Sequence, residues 1–281
     1  MHPEAKRCEA CGYSGTPREV YAVKGWPILR CERCGLRWTD ARGLDAAAIY
    51  TEEYFQGGMP DGYFDYLGSE RSLRDEYEAR LALIQRHLRP RRGGRLLEVG
   101  CATGGFLEIA RRAFEVQGLD VSAFAANEAR RKGLDVACGT LRGSATLHPP
   151  YDVIALFDTI EHLPEPAATL GQAHALLSPG GTLVLSTGDA ESPLARITGK
   201  RWRLMTPPQH LWFFGKKSLT TLLSRLGFEV LAAEYPWRNV PVSLAWYQLF
   251  RGAVGALPDA IGGLVLPVNL FDTMTVIARR V

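Results

Sequence analysis

Four cysteines lead the chain in two pairs, Cys8-x2-Cys11 and Cys31-x2-Cys34, and each pair runs directly into a glycine, Gly12 or Gly35. Thiolates at this spacing form the donor set of a tetrahedral Zn2+ site, and the glycines let the backbone turn tightly enough to aim both pairs at one ion. Nineteen residues separate the pairs, within the zinc-ribbon range. Two disulfides are the alternative for the same residues. The second chemical feature is Leu96-Leu-Glu98-Val-Gly100-Cys-Ala102-Thr-Gly104-Gly105, a glycine-rich turn between an apolar strand and a helix. Its third small residue comes one position earlier than in the G-x-G-x-x-G loop that seats a pyrophosphate, and Glu98 precedes it. A carboxylate repels phosphate and attracts a cation, so a sulfonium or ammonium ligand is expected. Asp120, twenty residues after Gly100, ends the next apolar run, where a carboxylate can accept two hydrogen bonds from ribose hydroxyls.

Elements at regular spacing must position these groups. Apolar runs at Arg95 to Val99, Glu115 to Leu119, Asp135 to Cys138, Tyr151 to Phe157 and Gly181 to Ser186 alternate with helical stretches. A helix from Ser218 to Leu226 ends at Gly227, and strands follow at Phe228 to Ala233 and Thr273 to Ala278. The expected fold is α/β: a Rossmann-like, doubly wound, mostly parallel sheet with an N-terminal zinc ribbon and a helical C-terminal insertion. The expected divisions are a ribbon over 1–42, a helical lid or linker over 43–92, and a cofactor-binding domain over 93–281 interrupted by an apolar insertion at 236–271. In the ribbon, strands are expected near Glu19 to Val23 and Ile28 to Arg30. Tyr50, Tyr54, Phe55, Tyr63, Phe64 and Tyr66 crowd the second segment, as packing or as a lid. Cys101 and Cys138 are expected as buried thiols at strand ends.

The order of these motifs, with Tyr151-Asp-Val-Ile-Ala-Leu-Phe157-Asp158-Thr-Ile-Glu161-His162-Leu-Pro164 and Leu177-Ser-Pro-Gly-Gly181, resembles the class I S-adenosylmethionine-dependent methyltransferases over roughly residues 45 to 281. The resemblance implies Glu98, Gly100 and Gly104 around the methionine and ribose portions of the cofactor, Asp120 on the ribose and Val121 against adenine. Phe157 and Asp158 would line the methyl-donor pocket. Ala102 departs from the glycine more usual in the family, but alanine is small enough for close approach of a ligand. Two histidines compete as acceptor-side catalysts. His162 lies in the Glu-His-Leu-Pro block, where family members use it to orient the loop. His210 lies in Trp202-Arg-Leu-Met-Thr-Pro-Pro208-Gln-His210-Leu-Trp212-Phe-Phe214, similar to an element of ubiquinone-pathway and sugar O-methyltransferases. A histidine there can take a proton from a hydroxyl, or it can hold the loop by bonding a carbonyl.

The chain of 281 residues carries a net charge of +3, modest for an obligate nucleic-acid binder. With the resemblance above, which implies a small-molecule acceptor, the expectation is a hydroxyl of a sugar, polyketide or other secondary or cell-surface metabolite. RNA or protein modification through the ribbon is the alternative, kept open by its Lys6, Arg7, Arg18, Lys24, Arg30, Arg33 and Arg37. No apolar run approaches the twenty residues of a membrane span, which with the reduced-thiol pattern gives a cytoplasmic expectation. Within 239–271 only Arg251 and Asp259 are charged, and this stretch is expected to cap the fold, to form a homodimer surface, or to contact a membrane interface or apolar substrate.

Overall fold

The computed structural model describes residues 7–41, 70–88, 94–142, 146–242 and 265–281. Three short strands come first, β1 (Arg18–Val23), β2 (Trp26–Arg30) and β3 (Arg37–Thr39), followed by helix α1 (Glu70–His87). Strand and helix then alternate as the apolar runs require: β4 (Arg95–Val99), α2 (Gly105–Ala110), β5 (Glu115–Asp120), α3 (Ala123–Arg131), β6 (Val136–Cys138) and β7 (Tyr151–Phe157). The alternation continues through α4 (Pro166–Leu176), β8 (Leu177–Gly188), α5 (Pro193–Thr198), β9 (Trp212–Phe213), α6 (Lys216–Arg225) and β10 (Phe228–Glu234). A hairpin-like pair, β11 (Arg238–Pro241) and β12 (Val265–Val268), precedes β13 (Thr273–Arg280).

Seven strands form the main sheet in the order β10-β13-β8-β7-β4-β5-β6. Strands β4 to β8 run parallel to their neighbours, and β13 lies antiparallel between β8 and β10. The chain leaves β4 towards β5 and β6, then returns to the other side of β4 for β7. That reversal opens a crevice at the carboxyl ends of β4 and β7, where open α/β sheets bind ligands. Side chains that alternate along each strand divide the core into two layers. Leu96, Val153, Ala155 and Val184 face Tyr77, Ile84, Phe106 and Ala129, while Leu97, Ile154, Leu183 and Leu185 face Leu170, Leu219, Leu222 and Leu223.

The ribbon is more tightly joined to this body than a two-strand appendage. Its sheet has the order β1-β2-β3-β9, so the fourth strand comes from Trp212–Phe213 in the later part of the chain. Cys8, Cys31, Cys34 and Leu36 share one apolar cluster with Phe214, Leu219 and Leu222. Arg225 donates from Nε to the Ala10 carbonyl at 3.1 Å, and Arg37 donates to the Ala190 carbonyl at 3.1 Å. One expectation is corrected here: Cys101 is buried, but Cys138 is exposed, because β6 is a three-residue strand at the open edge of the sheet. The ends of the apolar insertion pair as antiparallel strands, Arg238 opposite Val268, and its interior lies outside the described residues, as do the six aromatics of the lid segment. Among the described residues, no helix is long and apolar enough to cross a membrane.

Candidate active site

The glycine turn follows β4 as its spacing demands. Gly100 has φ 74° and Gly104 has φ 81°, and a Cβ added there would fall 2.5 Å from Thr159 Oγ1 or 2.3 Å from Leu134 Cδ1. Only glycine satisfies both backbone and space at these two positions. Ala102 between them has φ 47°, in the left-handed region, where its Cβ is strained. Asp120 closes the turn from β5: its Oδ2 accepts the Ala102 N–H and its Oδ1 the Ser122 N–H, both at 2.8 Å. Each oxygen keeps further acceptor capacity for a hydroxyl. Beyond it Val121 is 49% exposed, an apolar platform beside the turn.

Glu98 sits in β4 opposite Gly118 and Ala155 and is only 4% exposed. Its Oε2 has no hydrogen-bond partner among the described residues. Burial pushes its carboxyl up to about 8, and the nearby Arg80 guanidinium pulls the other way. A buried acceptor without a donor is costly, and a cationic N–H donor would relieve it. Phe157 and Asp158 end β7 across the crevice, with Asp158 at φ 49° and its Oδ1 accepting Ser186 Oγ–H at 3.0 Å.

Arg80 was not foreseen. Its Nη2 donates to Asp158 Oδ2 at 2.8 Å and to Glu76 Oε1 at 2.5 Å, and its guanidinium carbon lies 4.3 Å from the centroid of the Phe157 ring. The signal was present in α1: Tyr77, Leu81 and Ile84 form a buried stripe, and position 80 falls within it, where an arginine must find partners.

His162 and His210 meet. His162 belongs to a 3₁₀ turn, Ile160–His162, that follows Asp158 and Thr159, and His210 approaches from the loop after α5, with ring centroids 4.7 Å apart at 80°. His162 Nδ1 lies 2.8 Å from the Gln209 carbonyl oxygen and His210 Nδ1 lies 2.9 Å from the Leu204 carbonyl oxygen. A carbonyl can only accept, so each Nδ1 carries the proton and each Nε2 the lone pair. Burial lowers both imidazoles, His210 to about 3 with His162 adding to the effect. Both are neutral at pH 7, and a base as weak as His210 accepts a hydroxyl proton only if the hydroxyl is itself made more acidic. The loop is anchored by buried Asp272, which accepts from Trp202 Nε1 and from Arg203 Nε, each at 2.9 Å. The ribbon holds it too: Thr39 Oγ1 donates to the His210 carbonyl at 2.7 Å and Thr39 N–H to the Leu211 carbonyl at 2.9 Å.

The four ribbon cysteines converge as their spacing predicts, with Cys8 Sγ 3.5 Å from Cys34 Sγ and Cys11 Sγ 3.7 Å from Cys31 Sγ. These are far longer than a disulfide bond and close to the sulfur separation of about 3.8 Å implied by tetrahedral Zn–S bonds of about 2.3 Å. The donor set therefore fits zinc.

A methyltransferase-domain family profile matches residues 70–233. Ubiquinone biosynthesis O-methyltransferase from Alkalilimnicola ehrlichii is 30% identical over 162 residues, covering 53% of this chain and 66% of that protein. The enzyme of the same name from Xylella fastidiosa is 30% identical over 196 residues, covering 63% and 79%. Among solved structures, a Thermotoga maritima S-adenosylmethionine-dependent methyltransferase, described as a possible histamine N-methyltransferase, aligns with TM-score 0.53 at 21% identity, over 77% of this chain and 95% of that one. Magnesium protoporphyrin IX methyltransferase from Synechocystis, with S-adenosylmethionine bound, aligns with TM-score 0.51 at 15% identity, over 85% and 99%. Both structures share the fold, and the profile covers more than half of the residues, including the glycine turn, Asp120 and the Glu161-His162 block. The chain belongs to the methyltransferase-domain family.

Proposed function

We propose that the protein transfers the methyl group of S-adenosylmethionine to a hydroxyl of a small molecule, of the sugar, polyketide or cell-surface metabolite type. The observation that carries this reading is Glu98: a buried carboxyl with an unpartnered oxygen, set at the head of a glycine turn and protonated while the crevice is empty, is drawn to ionise by a cationic ligand and is not by a phosphate. Glu98, Gly100, Ala102 and Gly104 would hold the methionine and ribose portions, Asp120 the ribose hydroxyls and Val121 the adenine. Phe157 and Asp158 would border the reacting methyl. When bound, the cofactor supplies an electrophilic methyl on sulfonium. Transfer is an in-line displacement, so the chain's part is to align the acceptor, exclude water and remove the hydroxyl proton. His210 Nε2 is the atom assigned to that proton, and His162 the group that orients the loop. The ribbon, with zinc in its cysteine site, braces the His210 loop. The ubiquinone-pathway names of the relatives support oxygen as the accepting atom.

Calorimetry with S-adenosylmethionine tests the premise: the wild type binds it, and Asp120→Ala weakens binding by roughly 10²-fold through lost hydroxyl bonds and a loosened turn. Mass spectrometry of a metabolite extract incubated with the protein and cofactor then identifies the methylated product. His210→Gln should lower turnover by about 10²- to 10⁴-fold with cofactor affinity unchanged. Near-normal turnover in that variant returns His210 to a purely loop-holding role.

A further inference from the structure

Glu161, His162 and His210 each bring one ligand atom within 4.8 Å of the others, which the four cysteines alone otherwise achieve among the described residues. We propose that these three residues hold a divalent transition-metal ion of the zinc class at the acceptor side of the crevice, distinct from the ribbon site.

The donor chemistry points there first. Two imidazoles and one carboxylate suit zinc and its first-row neighbours, whereas calcium and magnesium prefer all-oxygen sets. Outer hydrogen bonding points there second. A metal-binding histidine characteristically donates its remote ring N–H to a backbone carbonyl or carboxylate, which fixes the tautomer and turns the lone pair toward the ion. Both rings do this, His162 to Gln209 at 2.8 Å and His210 to Leu204 at 2.9 Å. One such bond is what a loop-holding histidine needs; two neighbouring rings, each with Nε2 as the lone-pair atom beside a buried carboxylate, make a ligand set.

The backbone supplies the third argument, because it fixes the two halves of the set to each other. Leu211 N–H donates to the Glu161 carbonyl at 2.8 Å, and Thr39 holds the His210 carbonyl at 2.7 Å. Glu161 and His162 are adjacent on one 3₁₀ turn, so a single loop-to-turn distance decides whether all three ligands meet. Zinc-class ions keep nitrogen and oxygen donors about 2.1 Å away, which sets such donors about 3.4 Å apart on a tetrahedron. The ligand atoms lie within 4.8 Å of one another, so binding would draw them together by up to about 1.4 Å.

Three protein ligands leave a tetrahedral ion one open position, the arrangement of catalytic rather than structural sites. A hydroxyl bound there would lose its proton more readily, since a bound cation lowers the pKa of a ligand oxygen by several units. This last step rests on the proposed methyl transfer to oxygen and takes the place of His210 as base, since Nε2 then holds the ion and the proton leaves to water; the site itself does not rest on that reading.

The test uses the full chain, stripped of metal by a chelator and titrated with Co2+, with a parallel count of bound Zn2+ by mass spectrometry. Two equivalents are expected in the wild type. One shows the intense sulfur-to-cobalt charge transfer of the cysteine site, and the other shows ligand-field bands without it. His162→Asn and His210→Gln should each keep the thiolate equivalent and lose the other, with S-adenosylmethionine binding retained as proof of folding. If either variant fails to fold, the wild-type titration decides alone. A single thiolate-type equivalent in the wild type, or two equivalents in well-folded histidine variants, overturns the site. Two equivalents with no methylated hydroxyl product would uphold the site and overturn the hydroxyl reading. Methylation by a protein that holds one equivalent would do the reverse.

Discussion

The proposed cofactor end and the proposed acceptor end of the crevice are built in opposite ways. Glu98, the glycine turn, Asp120 and Val121 come from one stretch of strand, turn, helix and strand, and their geometry is fixed by local backbone: φ angles, a carboxylate capping its own turn, and parallel register. The acceptor end is assembled from three distant pieces, Thr39 in the ribbon, Glu161 and His162 after β7, and His210 in the loop after α5. A local site tolerates changes elsewhere in the molecule. A composite site inherits the stability of every piece, and the weakest piece here is the ribbon, which has little core of its own.

The largest effect is therefore expected at the cysteines. Cys34→Ser removes a thiolate from a site whose metal would supply about 10 kcal/mol of local folding free energy. With β3 lost as a partner for β9, the Thr39 bonds to His210 and Leu211 go with it. Turnover should fall by about 10²-fold or more, while cofactor affinity stays within about threefold. Thr39→Val, which deletes only the hydroxyl bond, should fall in between. Equal losses of turnover and cofactor binding would mean that the two ends are one unit and that the ribbon acts through overall stability.

The same division explains what the sequence disclosed. Each strand of the main sheet is visible as an apolar run with a turn beside it, and the residues proposed to hold the cofactor are visible because their spacing is local. The cysteine cluster is legible for the same reason. The pairing of β3 with Trp212–Phe213 is not, because a three-residue and a two-residue strand carry almost no periodicity and their partners stand about 170 residues apart. Nor is the meeting of His162 with His210, since nothing in either segment encodes the other. Arg80 was hidden differently. A single charge within an apolar helical stripe does not reveal its partner, and Asp158 stands 78 residues further along the chain.

Glu98 sharpens the contrast through pH. Its folded-state carboxyl, raised to about 8, keeps a proton that the unfolded chain releases near the ordinary glutamate value of 4.5. The native state then binds more protons between those values, so the stability of the ligand-free protein falls as pH rises through that window, by an amount on the order of a few kcal/mol. Glu98→Gln removes this slope. Thermal melts at pH 5 and pH 8 should show the variant gaining on the wild type as pH rises, while calorimetry shows cofactor affinity down by about tenfold. A wild-type melting temperature that does not fall relative to Glu98→Gln across that range would mean that the carboxylate already has a cationic partner in the empty crevice.

Ala102 gives the finest test, because it asks how local the cofactor end is. Its φ of 47° costs about 1–2 kcal/mol for a residue with a Cβ. Glycine would relieve that strain but would lose about 0.5–1 kcal/mol through greater freedom of the unfolded chain. The two effects oppose, and strain is the larger, so Ala102→Gly should stabilise the protein by up to about 1 kcal/mol in urea unfolding. The Ala102 N–H already donates to Asp120 at 2.8 Å, so cofactor affinity should change by less than about threefold. A clear loss of affinity would show that alanine is retained here to hold that N–H in place for Asp120, and that strain in the turn serves binding rather than being merely tolerated.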